Sequence, residues 1–314
     1  MTAIRTEGLR KAYGAVQALD GLDLQVEEGA IFGFLGPNGS GKTTTIRLLT
    51  GLARPSQGRA WVAGIEVSGG RGGRQLARQL GHLPEEPAFY NWMTPAEFLD
   101  HVARVFGLAA GERRARTAEL LDLAGLAGVA RRKIGGFSRG MRQRLGLAQA
   151  LVNQPPVLFL DEPASALDPA GRKEVLDLIE RLRGRCTVFM STHILADVER
   201  TCDSVGIIAN GRLLTQGPRD ALLQQYAIPA FEVEAEAGSE DALAAWAEAQ
   251  RRQPWVTSAT LTGLAVRLLV RDVPAAKQAL LSSAMQAGLV LTRYEMLKPS
   301  LEDVFLRLVG QAGA

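Results

Sequence analysis

Residues 36–43 read GPNGSGKT and match the G-x-x-x-x-G-K-[ST] pattern of a phosphate-binding loop. The apolar run AIFGFL leads into them, and a helix over 44–50 is predicted to follow. Glycines let successive backbone N–H groups turn toward a phosphate, and the helix N-terminus adds positive charge. We therefore expect Lys42 to reach the β- and γ-phosphates of a nucleotide and the Thr43 hydroxyl to hold Mg²⁺. The candidate phosphate-binding residues are Gly36, Pro37, Asn38, Gly39, Ser40, Gly41, Lys42, Thr43 and Thr44.

Two acidic residues end a second apolar run, VLFL. Asp161 is expected to coordinate Mg²⁺ through water, and Glu162 to orient and polarise an attacking water as general base. His193 follows the apolar run TVFM, so it falls at the carboxyl end of a predicted strand, where doubly wound sheets bind their ligands. A lone histidine is more often structural, but here a contact with the γ-phosphate is favoured.

Four short apolar runs separated by helical patterns predict an α/β core with parallel strands. The predicted strands are 30–35, 157–160, 187–190 and 205–209. Between 95 and 149 the pattern is helical throughout, which predicts a helical subdomain inserted into this core. Farther along, strands at 231–236, 256–261, 264–270 and 289–294 alternate with helices at 239–250 and 275–286. This βαββαβ order is typical of a small ferredoxin-like domain, and a last helix is predicted at 300–308.

The composition is that of a soluble globular protein with room for one large and one smaller domain: 314 residues, 46% hydrophobic and 22% charged. No stretch approaches the roughly 18 apolar residues that span a bilayer, and the N-terminal residues lack the apolar core of a secretion signal. A net charge of +3 is too small to indicate nucleic-acid binding. Cys186 and Cys202 match no metal-binding spacing, so reduced thiols are expected, with a disulfide between them as the alternative.

Basic residues concentrate between Arg104 and Arg144, where ten lysines and arginines stand against three acids. One interpretation is an arginine-rich, solvated helical surface. The other is a face turned toward an anionic membrane surface or an acidic partner segment.

The segment FSRGMRQR at 137–144 adds a further motif just before a predicted helix, whose N-terminal N–H groups suit phosphate binding. This segment resembles the signature sequence of ATP-binding cassette (ABC) ATPases. Together with the phosphate loop, the two acids and His193, it makes about residues 1–222 resemble an ABC ATPase. The resemblance implies that four signature residues complete the ATP site of an opposite subunit: Ser138, Arg139, Gly140 and Met141. It also implies that Tyr13 stacks on adenine, and that SALD at 165–168 is the loop after the catalytic strand.

Three features depart from the pattern of that family. The usual Leu-Ser-Gly-Gly-Gln signature reads Phe-Ser-Arg-Gly-Met here. Arg139 therefore adds a cation near the expected γ-phosphate, where it would either aid binding or simply face solvent. Glu85 stands where the family has glutamine, and its carboxylate is a candidate Mg²⁺ ligand beside Thr43 and Asp161. Ala166 replaces a common glycine, with little expected effect.

These three departures and the C-terminal segment LKPSLEDVFLRLVG make the chain similar to one branch of the family. That branch is the exporters typified by bacterial antibiotic- and sodium-exporting ATPases. The expected fold class is α/β, a phosphate-loop NTPase (ABC cassette) at 1–222 with an inserted helical subdomain at about 95–149. An accessory α+β ferredoxin-like C-terminal domain is expected at 223–314. The resemblance further implies an ATPase that uses ATP and Mg²⁺, pairs as a homodimer, and binds a separate multi-helix membrane subunit at the cytoplasmic face of the membrane.

Alternative assignments remain open on the sequence. A heterodimer with a different cassette chain would use the same motifs. A soluble ABC protein that remodels DNA would carry long coiled coils between Lys42 and Asp161, and one that remodels ribosomes would carry two cassettes. A phosphate-loop kinase would need neither the signature motif nor His193.

Overall fold

The computed structural model describes residues 1–67, 71–226, 229–297 and 300–312. Two compact units divide the chain, Met1–Arg219 and Asp220–Gly310. No helix among the described residues is long and apolar enough to cross a membrane. Residues 298 and 299, part of the C-terminal segment used in the family resemblance, lie outside the described residues.

The first unit combines two sheets with helices. Its strands are, in chain order, β1 Thr2–Tyr13, β2 Val16–Glu27, β3 Ile31–Leu35, β4 Gln57–Val62, β5 Ile65–Glu66, β6 Leu80–Leu83, β7 Val157–Asp161, β8 Thr187–Thr192, β9 Ser204–Ala209 and β10 Arg212–Pro218. Its helices are α1 Lys42–Leu49, α2 Arg71–Gln79, α3 Pro95–Val105, α4 Ala110–Leu123, α5 Arg139–Ala150, α6 Pro169–Glu180 and α7 Leu195–Thr201, and α8 Arg219–Tyr226 follows β10.

The central sheet has strand order β10-β9-β3-β8-β7-β6, with β10 antiparallel to β9 and the other five strands parallel. Every residue of β3, β7 and β8 is buried, as expected for parallel strands covered on both faces. The ring of Phe189 on β8 packs against Phe32, Phe34 and Phe159 on the neighbouring strands. Because β8 lies between β3 and β7, the residues that follow these three strands meet at one edge of the sheet.

The four strands predicted for the α/β core are confirmed as β3, β7, β8 and β9. The predicted strands do not include the second sheet, which is antiparallel with strand order β2-β1-β4-β5. Register shifts between β1 and β2 interrupt the alternation of inward and outward side chains. Leu19 and Leu22, three residues apart on β2, are both buried, and regular alternation of buried and exposed residues is confined to residues 22–27 of this strand.

Helices α3, α4 and α5 pack against one another between residues 95 and 149. Helix α3 begins after Thr94, whose hydroxyl accepts a hydrogen bond from the Glu97 N–H at 3.3 Å while the Glu97 carboxylate accepts from the Thr94 N–H at 2.8 Å. Helix α5 begins after Ser138, whose Oγ accepts from the Met141 N–H at 3.3 Å. The signature segment thus starts a regular helix, as predicted.

Basic residues of α3 and α4 have acidic partners on the same helices. Asp100 contacts Arg113 at 2.8 Å and Arg104 at 3.3 Å, and the hydrogen bond from Arg113 is the main reason that the pKa of this carboxyl is lowered. Arg116 contacts Glu119 at 2.7 Å. Arg104 is thus paired on an exposed surface, whereas the side chains of Arg113 and Arg116 are only 18% and 12% exposed, so these contacts do not decide between the two interpretations of the arginine-rich segment.

The second unit contains β11 Ala230–Ala235, α9 Glu240–Arg251, β12 Val256–Thr262, β13 Ala265–Val270, α10 Val273–Gln286, β14 Leu291–Leu297 and α11 Leu301–Ala312. This is the predicted βαββαβ order followed by the predicted helix. The sheet is antiparallel with strand order β12-β13-β11-β14. Phe231 and Leu268 on the sheet pack with Trp246 of α9 and Leu280 of α10 in a core of their own.

Cys186 and Cys202 are free and buried, so the disulfide alternative is not observed. Burial raises the pKa of the Cys186 thiol to about 11 and that of the Cys202 thiol to about 12. Both thiols are therefore protonated near neutral pH.

Candidate functional site

The phosphate loop connects the end of β3 to the start of α1. Two of its positions must be glycine because a side chain would clash with neighbouring backbone. A Cβ on Gly36 would lie 2.4 Å from the carbonyl oxygen of Ile208 on β9. Gly41 has a φ of +109°, and a Cβ there would lie 2.7 Å from the carbonyl oxygen of Ala18. The loop is thereby held tightly between β9 and β2.

The N-terminus of α1 is arranged to accept an anion. Within α1, all of which the structure describes, the first turn holds no acidic residue, and Gly41 gives the N-cap no side-chain hydrogen bond. The first N–H groups of a helix have no intrahelical partner, so they and the helix dipole favour a phosphate at this end.

Lys42, the first residue of α1, is buried and bends back over the loop. Its ammonium donates to the carbonyl oxygens of Gly36 at 2.8 Å and Pro37 at 3.3 Å. It also lies 3.3 Å from the Glu162 carboxylate, and the two side chains are only 6% and 8% exposed. A ligand phosphate that reached Lys42 would compete with Glu162 for the same cation.

Thr43 and Asp161 meet at the candidate metal position. The Thr43 hydroxyl donates to Asp161 Oδ1 at 3.2 Å, and the Ser191 hydroxyl donates to the same oxygen at 2.6 Å. Hydroxyl and carboxylate oxygens are the donors that Mg²⁺ prefers, and this hydrogen bond holds two of them within reach of one ion. The residues present therefore fit the expected metal.

Glu162 is held by contacts on both its side chain and its backbone. One carboxylate oxygen faces Lys42, and the other lies 2.9 Å from His193 Nδ1. Its N–H donates to the carbonyl and hydroxyl oxygens of Ser191, each at 3.1 Å. The φ of Glu162 is +48°, a left-handed conformation that costs a non-glycine residue about 1–3 kcal/mol. These contacts offset that strain and aim the carboxylate at the phosphate loop.

A cavity of about 410 Å³ opens in front of these groups. Nine predicted site residues line it: Asn38, Gly39, Gly41, Lys42, Thr43, Thr44, Glu85, Glu162 and His193. The structure therefore brings together the phosphate loop, the candidate base, the histidine and the glutamate that stands in the place of glutamine. Phosphoryl transfer to water needs phosphate-binding groups, oxygen ligands for a metal and a base. Here the N-terminus of α1 with Lys42, the oxygens of Thr43 and Asp161, and the carboxylate of Glu162 can supply them.

The sequence reasoning missed two groups of site residues. Val16, Gln17 and Ala18 of β2 line the cavity on the side away from the acids, and no motif marks them. Ser191 is fully buried on β8 and bridges Asp161 to the backbone of Glu162. A hydroxyl at the end of an otherwise apolar strand is the signal that was available for it.

Tyr13 and the four signature residues do not line this cavity. Tyr13 does not line it, but Tyr13 pairs across the β1–β2 hairpin with Val16, which does. The signature residues Ser138, Arg139, Gly140 and Met141 do not line it either, and Ser138 and Arg139 are exposed on α5. Within one chain, the signature segment is thus not brought to the phosphate loop.

Comparison with known proteins identifies relatives along the whole chain. The ABC transporter family model matches residues 19–165, and the model for the C-terminal domain of ATP-binding protein DrrA1-3-like matches residues 217–309. The uncharacterized ABC transporter ATP-binding protein YxlF of Bacillus subtilis is 39% identical, covering 96% of this chain and 98% of that protein. The daunorubicin resistance ATP-binding protein DrrA3 of Streptomyces coeruleorubidus is 36% identical, covering 98% and 96%. The dimeric structure of MJ0796, a bacterial ABC transporter cassette, agrees in fold with a TM-score of 0.62 at 24% identity, covering 68% of this chain and 98% of that one.

Proposed function

This chain belongs to the ATP-binding proteins of ABC transporters, and on that premise we propose that it couples Mg·ATP hydrolysis to substrate export through a separate membrane subunit. Members of this family are ATPases, and the resemblance inferred from the sequence motifs is confirmed. The observation that carries the proposal is the contact of Lys42 and His193 with the two Glu162 oxygens at the mouth of the phosphate loop. Drug resistance in the name of one relative supports export as the direction of transport.

The proposed chemistry follows from these contacts. Lys42, Ser40 and the N–H groups of the loop bind the phosphates, while Thr43, Asp161 and Glu85 are the proposed ligands of Mg²⁺. When bound, Mg²⁺ would neutralise charge on the β- and γ-phosphates.

Hydrolysis itself is assigned to Glu162, the proposed base, and to His193 beside it. Arrival of the γ-phosphate at Lys42 draws the ammonium away from Glu162, which leaves one carboxylate oxygen to accept a proton from water. That water attacks the γ-phosphorus, the bond to the β-phosphate oxygen breaks, and ADP leaves. His193 holds the second Glu162 oxygen and is placed to contact the γ-phosphate.

A composite site between two copies of the chain is the proposed assembly. The cavity in one chain lacks the signature residues, and Ser138 begins a helix whose exposed N-terminus suits a phosphate from another chain. The cassette MJ0796 has a dimeric structure, which supports the same arrangement here. ATP would lie between the phosphate loop of one copy and Ser138, Arg139, Gly140 and Met141 of the other.

The proposed docking surface for the membrane subunit is an aromatic groove in the first unit. A cavity of about 520 Å³ is lined largely by apolar and aromatic side chains of residues 88–90 and of α3, among them Phe89, Tyr90 and Val105. Val105 is 74% exposed, and Trp92, 69% exposed, packs against Tyr90. Exposed apolar surface of this kind marks a protein interface. The membrane subunit at the cytoplasmic face is the proposed occupant, and the small net charge gives no support to nucleic acid.

Val105→Glu is expected to lower the fraction of chain recovered in washed membranes of its native cell by roughly tenfold, because it buries a charge in the docking groove. ATP binding should be unchanged. Met285→Glu is the matched control, since Met285 is 70% exposed on α10 of the second unit. Equal membrane recovery of Val105→Glu and the wild type, or equal loss in both variants, would contradict docking at this groove.

We also propose that 1–222 is the ATP-binding domain, with its helical subdomain at about 95–149, and that 223–314 is accessory. Every residue assigned to chemistry lies before 194, and the second unit has a separate apolar core. A chain that ends at Gln225 is therefore expected to bind ATP within about threefold of the full chain, the ordinary scatter of an uninvolved region. Calorimetric titration checks this. A truncated chain that melts cooperatively but has lost ATP binding would reject the division of roles.

A further inference from the structure

The side chain of Lys11 covers one face of the Tyr13 ring. Its ammonium lies 4.7 Å from the ring centroid, within the range of a cation–π contact. The same ammonium donates to the carbonyl oxygen of Arg54 at 2.8 Å, which holds it over the ring. Tyr13 is 48% exposed, so this contact leaves much of its surface open.

The strand end that carries Tyr13 is also tied to the segment after α1. The Ala12 N–H donates to Ser56 Oγ at 3.1 Å, and the Ser56 N–H donates to the carbonyl oxygen of Arg10 at 2.8 Å. With the bond from Lys11 to Arg54, three contacts join β1 to residues 54–56. Helix α1 begins at the phosphate loop and ends at Leu49, and residues 50–53 connect it to this segment.

The strand partner of Tyr13 lines the nucleotide cavity. Tyr13 pairs with Val16, and Val16, Gln17 and Ala18 line the cavity on this side. The Gln17 amide donates to the carbonyl oxygen of Leu19 at 2.5 Å, so it is already engaged in the chain's own backbone. The Tyr13 ring is the aromatic group next to this side of the cavity that could stack on a base.

We propose that Lys11 is a positioning residue for the nucleobase, which acts through Tyr13. A cation behind the ring draws π-electron density toward itself, which makes the opposite face a better stacking surface for the electron-rich adenine. It also fixes the ring before the base arrives, so less conformational freedom is lost on binding. This proposal rests on the proposed function, in which Tyr13 stacks on adenine.

Calorimetric titration with Mg·ADP measures nucleotide binding apart from any role in hydrolysis, since ADP is not hydrolysed. Lys11→Met keeps the apolar stem and removes the charge, and it is expected to weaken ADP binding by about two- to fivefold, the size of a partly exposed cation–π contact. Lys11→Arg, which keeps a cation, should bind within about twofold of the wild type. Mg·pyrophosphate, which has no base, should bind Lys11→Met and wild type equally. Lys277→Met is the control for loss of an exposed lysine.

A Tyr13→Leu background completes the test. Lys11→Met should cause no further loss of ADP affinity there, because the ring through which it acts is gone. An unchanged affinity in Lys11→Met, an equal loss for pyrophosphate, or a further loss in the Tyr13→Leu background would each overturn the role of Lys11. Failure of the wild-type chain to bind Mg·ADP would instead contradict the proposed function.

Discussion

Glu162→Gln is expected to leave ATP binding intact and to lower the rate of ATP hydrolysis by about 10²- to 10⁴-fold, the loss typical of a missing general base. The amide keeps the size of the side chain and a hydrogen bond to His193, but it cannot take a proton from water. It also removes the ion pair that Glu162 makes with Lys42 at 3.3 Å, so the ammonium is more available to the γ-phosphate. ATP should therefore bind at least as tightly as in the wild type, and the ATP-closed dimer should accumulate.

Phosphate release measures the rate, and size-exclusion chromatography with Mg·ATP measures the dimer. Glu86→Gln is the matched control, because Glu86 is exposed and does not line the cavity. Its turnover should equal that of the wild type. A Glu162→Gln chain that hydrolyses ATP at the wild-type rate would contradict the assignment of Glu162 as the base.

The parts of the site that the sequence predicts are those whose chemistry depends on short, contiguous segments. The phosphate loop needs glycine at positions such as Gly36 and Gly41, where a Cβ would clash with a backbone carbonyl oxygen. These glycines fall within one contiguous motif of eight residues, so the sequence shows them directly. Asp161 and His193 end buried apolar runs, so the rule that ligands gather at the carboxyl ends of parallel strands brings them together. The α/β core is predictable because each of these fully buried strands contains a short run of apolar residues.

Other parts depend on pairings between distant segments, which no local pattern encodes. Ser191 reaches Asp161 because β7 and β8 pair in a register that puts the two residues side by side. The support of Tyr13 by Lys11 depends on a loop more than 40 residues away in sequence. Alternating side chains over residues 22–27 mark part of β2 as a strand, but its pairing with β1 and the register shifts between the two strands are not encoded in any local pattern.

Mixing two inactive variants, Lys42→Ala and Ser138→Arg, is expected to restore ATP hydrolysis if each site is built from two chains. Lys42→Ala removes the phosphate-binding ammonium on one side of a site, and Ser138→Arg obstructs the signature segment on the other side. In either variant alone, both sites of a dimer are damaged. In a mixed dimer both lesions fall in the same site, so the second site has an intact Lys42 and an intact Ser138. Random pairing makes half of the dimers mixed, so independent sites would recover at most about a quarter of wild-type activity.

The design must separate a blocked site from a destabilised helix, since Ser138 Oγ caps α5 by accepting from the Met141 N–H. Losing such a cap costs about 1 kcal/mol, whether or not the residue contacts ATP. Thr94→Arg is the matched control, because it removes the cap of α3 in the same group of helices and leaves the signature untouched. Thr94→Arg should hydrolyse ATP at close to the wild-type rate, whereas Ser138→Arg should not. Full activity of either Lys42→Ala or Ser138→Arg on its own would reject the composite site. Mixed dimers that form, bind ATP and never turn it over would mean either that turnover requires both sites or that the composite-site model fails.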